Sequence, residues 1–421
     1  MRILWLTNIP VPIASKLMGE KAIYSGGWMS GLAEKLAKVE GIELAIAFPK
    51  NKLNENEVMA YFDGEVNYYA IPRRKNYVYD KAMEQPFKQL VNTYKPDLIH
   101  IHGTEYAHGL ALMKACPQEK YVVSIQGLVS IYAKHYHASL PEKIINRTTI
   151  RDFLRHDNIK NGIKNFIKRG IIEQQILKNS NHIIGRTTWD KACTSQLNPN
   201  AKYHFCNEML RDEFYKYTWD INQCEKYSIF ISQGLYPIKG LHFMLEAMPI
   251  ILNRFPDTHL YIAGGNITKS DSLFDKLKLT SYGCYIKQLI KKYNLSDKLT
   301  FTGGLDEKEM CARFKRANVF VLASSIENSP NSLGEAMILG VPCVASYVGG
   351  VGDMMTHREE GFIYPYDAPY MLAHYVCEIF ANDELALKIS CSAKNRAKAT
   401  HDREKNVKQL VEIYEEIMKE T

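Results

Sequence analysis

The chain has 421 residues, more than one hydrophobic core organises, and so reads as two domains. With 46% hydrophobic and 24% charged residues it has the composition of an ordinary soluble protein, and no apolar run approaches the roughly 20 residues of a spanning helix. Nine scattered cysteines without a Cys-x-x-Cys pair argue against a disulfide framework and a zinc site and point to a reducing cytoplasm; the net charge is +7.

In chain order, the apolar run after Met1 is too short for a signal peptide and meets Pro10 and Pro12, so residues 2–7 read as a first strand. A helix is expected over 29–39, and strands over 43–48, 97–102, 121–125 and 182–185, with helices between them. Ser25-Gly26-Gly27-Trp28 falls between the first strand and its helix, where Gly26 and Gly27 either let backbone N–H groups approach a ligand or simply form a flexible turn. His100 and His102 alternate at a strand end and share one face, and Gln126 ends the next strand. The pattern then repeats: strands over 227–232, 259–263, 299–301, 319–322 and 342–345, and helical periodicity over 241–255, 285–293 and 307–315. Alternating strands and helices imply α/β domains with parallel sheets. The join is expected within 207–223, giving domains 1–210 and 222–400. A last amphipathic helix over 402–421 carries Val407, Leu410, Val411, Tyr414 and Ile417 on one stripe.

The densest motif is Glu327-Asn-Ser-Pro-Asn-Ser-Leu-Gly-Glu335, two carboxylates with seven residues between them, placed between a buried strand and a helix closed by Gly340. Asn328, Ser329, Pro330, Asn331 and Ser332 are turn and cap residues, and Leu333 leads into the helix. Ionised carboxylates accept hydrogen bonds from hydroxyls in pairs, and strand ends facing helix N-termini collect ligands in open α/β sheets. Ser332 to Glu335 equally fits a capping box, with Glu335 folding back on the helix start. A second strand-to-helix turn, Gly234-Leu-Tyr-Pro-Ile-Lys239-Gly240, brings one cation to a helix N-terminus, where it suits a diphosphate.

With Gly340-Val-Pro-Cys-Val and Gly349-Gly350 following Glu335, the chain resembles the family 4 glycosyltransferases of the GT-B fold, most closely over 227–365. The resemblance implies two Rossmann-like domains with parallel sheets facing a central cleft: an acceptor-side domain, on which the terminal helix packs back, and a nucleotide-sugar-binding domain. It implies a retaining hexosyl transfer from a nucleotide-diphosphate sugar to a glycan or lipid-linked glycan, in cell-surface polysaccharide synthesis. Glu327 would hold the sugar, Glu335 the ribose and Lys239 the diphosphate, with Gly26, Gly27 and the 328–333 loop around the donor. His102 and Gln126 would line the acceptor side.

Two positions depart from the family pattern. An Arg is expected five residues before Lys239, where this chain has Gly234, and Arg186 or Arg211 is the candidate substitute at the phosphate. Gln126 stands where many relatives carry His, and an amide cannot titrate, so no general acid–base role falls there. Both departures also suit a non-catalytic sugar-nucleotide or glycan-binding relative; a nucleotide-sugar epimerase ranks last, because this carboxylate spacing is not expected there. No Asp-x-Asp occurs, so no metal is expected and no cofactor beyond the donor substrate. From 134 to 170, nine Lys and Arg stand against three acids, with apolar residues interleaved. Such a stretch fits either a solvated helix pair or an anionic membrane surface, the latter placing the protein peripherally at the inner face. No nucleic-acid module accompanies the charge.

Overall fold

A computed structural model describes residues 1–21, 27–74 and 78–420; Gly26 lies outside them. The strands are β1 (Arg2–Leu6), β2 (Glu43–Lys50), β3 (Met59–Phe62), β4 (Asn67–Pro72), β5 (Leu98–His102), β6 (Tyr121–Ser124), β7 (His182–Gly185) and β8 (Lys202–Phe205) in one sheet, ordered β3-β4-β2-β1-β5-β6-β7-β8. The second sheet holds β9 (Ser228–Ile231), β10 (His259–Ile262), β11 (Leu299–Phe301), β12 (Val319–Leu322), β13 (Cys343–Ser346) and β14 (Phe362–Tyr364), ordered β11-β10-β9-β12-β13-β14. Pairing is parallel throughout the second sheet. The first departs from the expected parallel order at one edge, where β3 runs antiparallel to β4. A short reversal of residues 63–66, held by Asp63 accepting from the amides of Glu65 and Val66, makes that hairpin.

The contacts divide the chain into two compact units. The first comprises 1–131, 165–211 and 401–421; the second comprises 132–164 and 212–400. Residues 132–164, which the sequence reading kept in the first domain, therefore group with the second. The reason is a set of polar attachments: His242 Nε2 meets the Ala138 carbonyl at 2.8 Å, Ser325 Oγ donates to the His135 carbonyl, and Ser281 donates from N and Oγ to Asp152.

In the first unit, alternation along β1 covers both faces. Ile3 and Trp5 join the cluster under helix Trp28–Ala37, while Leu4 and Leu6 join the one under helix Glu84–Tyr94. Each fully buried aliphatic or aromatic side chain contributes about 1.5–3 kcal/mol, which is why these strands read as unbroken apolar runs. The terminal helix, Arg403–Lys419, lays Val407, Leu410, Ile413, Tyr414 and Ile417 into the first cluster. It is pinned by a polar chain: Trp5 Nε1 donates to Tyr414 Oη at 3.0 Å, and Tyr414 Oη meets His100 Nδ1 at 2.6 Å. In the second unit, Phe230, Phe314 and Phe320 pack edge-on or tilted beneath the sheet.

Candidate active site

Three loops at the carboxyl ends of the adjacent strands β9, β12 and β13 build the second unit's polar site. The β9 loop turns through the 3₁₀ segment Pro237–Lys239 and reaches Gly240, which caps helix Leu241–Arg254 at φ +69°. A Cβ at Gly240 would collide with the Ala323 carbonyl, so glycine lets the two loops touch backbone to backbone. The contact is closed by Ser325 N donating to the Ile238 carbonyl at 2.8 Å. On the other side, Gly349, at φ +51°, leaves room for the Glu327 carbonyl, which accepts from Gly350 N at 3.2 Å. Ser346 Oγ donates to the Ser324 carbonyl at 2.6 Å and ties β13 to the same loop.

The framework sets Lys239 Nζ 2.5 Å from Glu327 Oε1, and Ser324 Oγ donates to the same carboxylate oxygen at 2.7 Å. Burial opposes the charge on Lys239, but the Glu327 carboxylate and the neighbouring Tyr236 outweigh it and hold the ammonium pKa above its usual value. The Lys239 side chain keeps 20% of its surface exposed and Glu327 keeps 9%. Helix Asn331–Leu339 starts at an N-cap Pro330 that offers no side-chain cap. The capping-box alternative therefore fails: Ser332 already lies inside the helix, and Glu335 is buried one turn further on. Within the motif, Ser329, Asn331 and Ser332 are half-buried, whereas Asn328 and Pro330 are buried. Leu333 is a buried core residue, and its amide donates to the Pro330 carbonyl.

The remaining sequence candidates lie in the first unit. Arg186, expected as a substitute phosphate ligand, is buried and ion-paired with Glu208, and its Nη2 also donates to the Ile125 carbonyl. Gln126 Nε2 donates to the other Glu208 oxygen at 2.6 Å. One carboxylate thus consolidates both residues. The sequence reading missed Glu208 because it follows β8, a strand too short and polar to be recognised. His102 is buried, stacks on His100 at 3.8 Å between ring centroids and packs against Trp5; burial pushes its pKa down to about 3, so it is neutral. His102, Arg186, Glu208 and Trp28 line one small recess. Gly27 caps helix Trp28–Ala37 at φ −57°, a conformation open to any residue. Gly234 is hemmed in: a Cβ there would stand 3.0 Å from Ile262 Cγ2 and Leu241 Cδ2. Among the described residues no group of three or more His, Cys, Asp or Glu is placed to hold a metal.

This arrangement of strand-end loops coincides with a family match. The glycosyl transferases group 1 family matches residues 212–396, which contain Lys239, Glu327 and Glu335. Residues 212–396 thus match the group 1 glycosyltransferases. The chain is similar to N-acetyl-alpha-D-glucosaminyl L-malate synthase of Bacillus anthracis, 21% identical over 396 residues and 92% of each chain. Against another relative, from Bacillus subtilis, the match spans 46% of each chain at 28% identity, about half the length of that protein. Among solved structures, sucrose-phosphate synthase from Thermosynechococcus elongatus superposes with a TM-score of 0.73 at 19% identity over all of both chains. Anabaena HepE in complex with UDP and glucose superposes with a TM-score of 0.67 at 14% identity, over 99% of this chain and all of that one. At such identities the structures establish the fold, which is GT-B.

Proposed function

We propose that the protein is a retaining, metal-independent glycosyltransferase that moves a hexosyl group from a nucleotide-diphosphate sugar to a hydroxyl of a glycan or lipid-linked glycan in cell-surface polysaccharide synthesis. The single observation that carries the reading is the Lys239–Glu327 pair, held by three strand-end loops beside an uncapped helix start. In transfer, the bond from the anomeric carbon to the diphosphate breaks, a bond to the acceptor oxygen forms on the same face, and the departing phosphate takes the acceptor proton. Negative charge grows on the leaving diphosphate, and an ammonium placed there stabilises the transition state more than the ground state. Glu327 accepts from sugar hydroxyls and keeps Lys239 charged and aimed, while Glu335 serves the ribose diol. Gln126, which cannot titrate, takes no acid–base role. UDP, the nucleotide bound by Anabaena HepE, is the first donor base to test.

The protein would act in the cytoplasm, peripherally at the inner membrane face, with the basic 134–170 stretch toward anionic lipid; no helix among the described residues is long and apolar enough to cross a membrane. The test is a panel of nucleotide sugars scored for thermal stabilisation and for slow donor hydrolysis, with and without acceptor extracts. One donor that both stabilises and turns over supports transfer. Stabilisation without any turnover favours the binding-only alternative, which Gly234 and Gln126 motivate.

A further inference from the structure

Six large apolar side chains on two short helices of the second unit face solvent. On helix Ile150–Arg155 these are Ile150 (63% exposed), Phe153 (68%) and Leu154 (71%). On helix Leu273–Leu277 they are Leu273 (79%), Phe274 (64%) and Leu277 (52%), and that helix buries no residue at all. Asp152, on the first, accepts from N and Oγ of Ser281, the first residue of helix Ser281–Lys292, which is separated from the end of the second helix by three residues. Isolated apolar residues on a surface are ordinary, but a helix that carries three large ones and buries none contributes nothing to a core.

The charges around the patch are one-sided. Arg155, Lys160, Lys276 and Lys278 are exposed. Of the nearby acids, Asp152 is buried against Ser281, Asp157 is paired with Arg151, and Asp275 is occupied by the Ser272 cap, leaving Asp271. Lys278 Nζ lies 3.8 Å from the centre of the Phe274 ring, so the cation and the apolar face belong to one surface. Apolar side chains ringed by outward cations match a bilayer interface: rings and aliphatic chains enter the acyl boundary while ammonium and guanidinium groups meet lipid phosphates.

We infer that helices Ile150–Arg155 and Leu273–Leu277 together form a docking surface that inserts shallowly into an anionic lipid bilayer. This deepens the peripheral-membrane part of the proposed function by naming the inserting side chains and adding a helix more than a hundred residues away in sequence. It follows that the second unit is the one anchored.

The full-length chain is co-sedimented with vesicles of phosphatidylcholine alone and of phosphatidylcholine mixed with phosphatidylglycerol, with inorganic phosphate as a competitor. Binding to the anionic vesicles only, weakened by salt and indifferent to millimolar phosphate, is expected. The F153S/L154S/F274S variant should bind those vesicles about tenfold or more weakly, with its melting temperature and donor-induced stabilisation unchanged, because these side chains touch no core. Equal binding to neutral vesicles, binding to none, release by phosphate, or unaltered binding by the triple variant would each overturn the inference. Failure of the glycosyl-transfer reading looks different: vesicles are bound through this surface, yet no nucleotide sugar stabilises the protein.

Discussion

Each unit holds an ion pair beyond the carboxyl ends of its strands, Arg186–Glu208 in the first and Lys239–Glu327 in the second, and these two pairs differ in closure. Arg186 and Glu208 keep 5% and 10% of their side-chain surface, and protein groups such as the Ile125 carbonyl and Gln126 take up further hydrogen-bonding capacity. Lys239 and Glu327 sit on loops, and the lysine keeps 20%. A pair enclosed by protein partners has little exposed surface to offer a ligand, and its loss is felt first in the fold. A pair more open on the cationic side leaves part of the ammonium accessible, as a phosphate-binding role would require. Under the proposed function, the first pair serves stability and the second serves chemistry.

The largest effect that tests this assignment is on turnover. Lys239→Ala should lower kcat by about 10²–10³-fold, the usual cost of one preorganised transition-state donor. Glu327→Ala should lower it comparably, and steady-state kinetics with the stabilising donor measures both. Full activity in either variant would dissolve the difference between the pairs. Next, Glu208→Ala should destabilise the protein by about 3–5 kcal/mol in urea unfolding by leaving the Arg186 guanidinium buried without a counter-ion. Replacing both by apolar residues, as R186M/E208L, should recover most of that loss. If Arg186→Ala instead abolished donor-induced stabilisation at an unchanged melting temperature, Arg186 would belong at the phosphate after all.

Gly349→Ala sharpens the picture of the open pair. At φ +51° and against the Glu327 carbonyl, the added methyl should cost about 1–3 kcal/mol and weaken donor binding, read by a thermal-shift titration. Acid should act on both units. Burial lowers His102 to about 3, and His242 and His401 to about 4, from an ordinary 6.5. The folded state keeps these rings neutral while the unfolded chain takes up protons, so stability is complete above pH 6.5 and declines as pH falls toward 4. Circular dichroism under mild denaturant across that window checks the sign, and a rise in stability on acidification would contradict it. The smallest effect belongs to the surface: Lys226→Ala, which removes a bridge to Asp383 with both partners at least half exposed, should change stability by less than about 1 kcal/mol.

The central strands were legible because both of their faces are buried. β12 (Val319–Leu322) and β7 (His182–Gly185) occur over the expected residues, and helix Leu241–Arg254 differs at one end by a single residue. The strands that escaped notice are β3, β4, β8 and β14. β3 alternates half-buried and exposed residues, β8 buries one residue of four, and β14 has three residues, so none repeats an apolar pattern long enough to stand out. β4 is apolar enough, but it follows the unrecognised β3 hairpin. Missing β8 hid Glu208 and with it the fate of Arg186.

Local rules therefore reached as far as backbone periodicity and glycine chemistry reach: two alternating α/β halves, a cation before a helix, and two carboxylates flanking a turn. Which groups meet was beyond them, since partners such as Lys239 and Glu327 are 88 positions apart and are brought together by the strand order β9-β12-β13. The same holds for burial. Arg186 and Lys239 look alike as isolated cations in the chain, and only the packing around each one sets how much of its charge is enclosed by the protein and how much is left accessible.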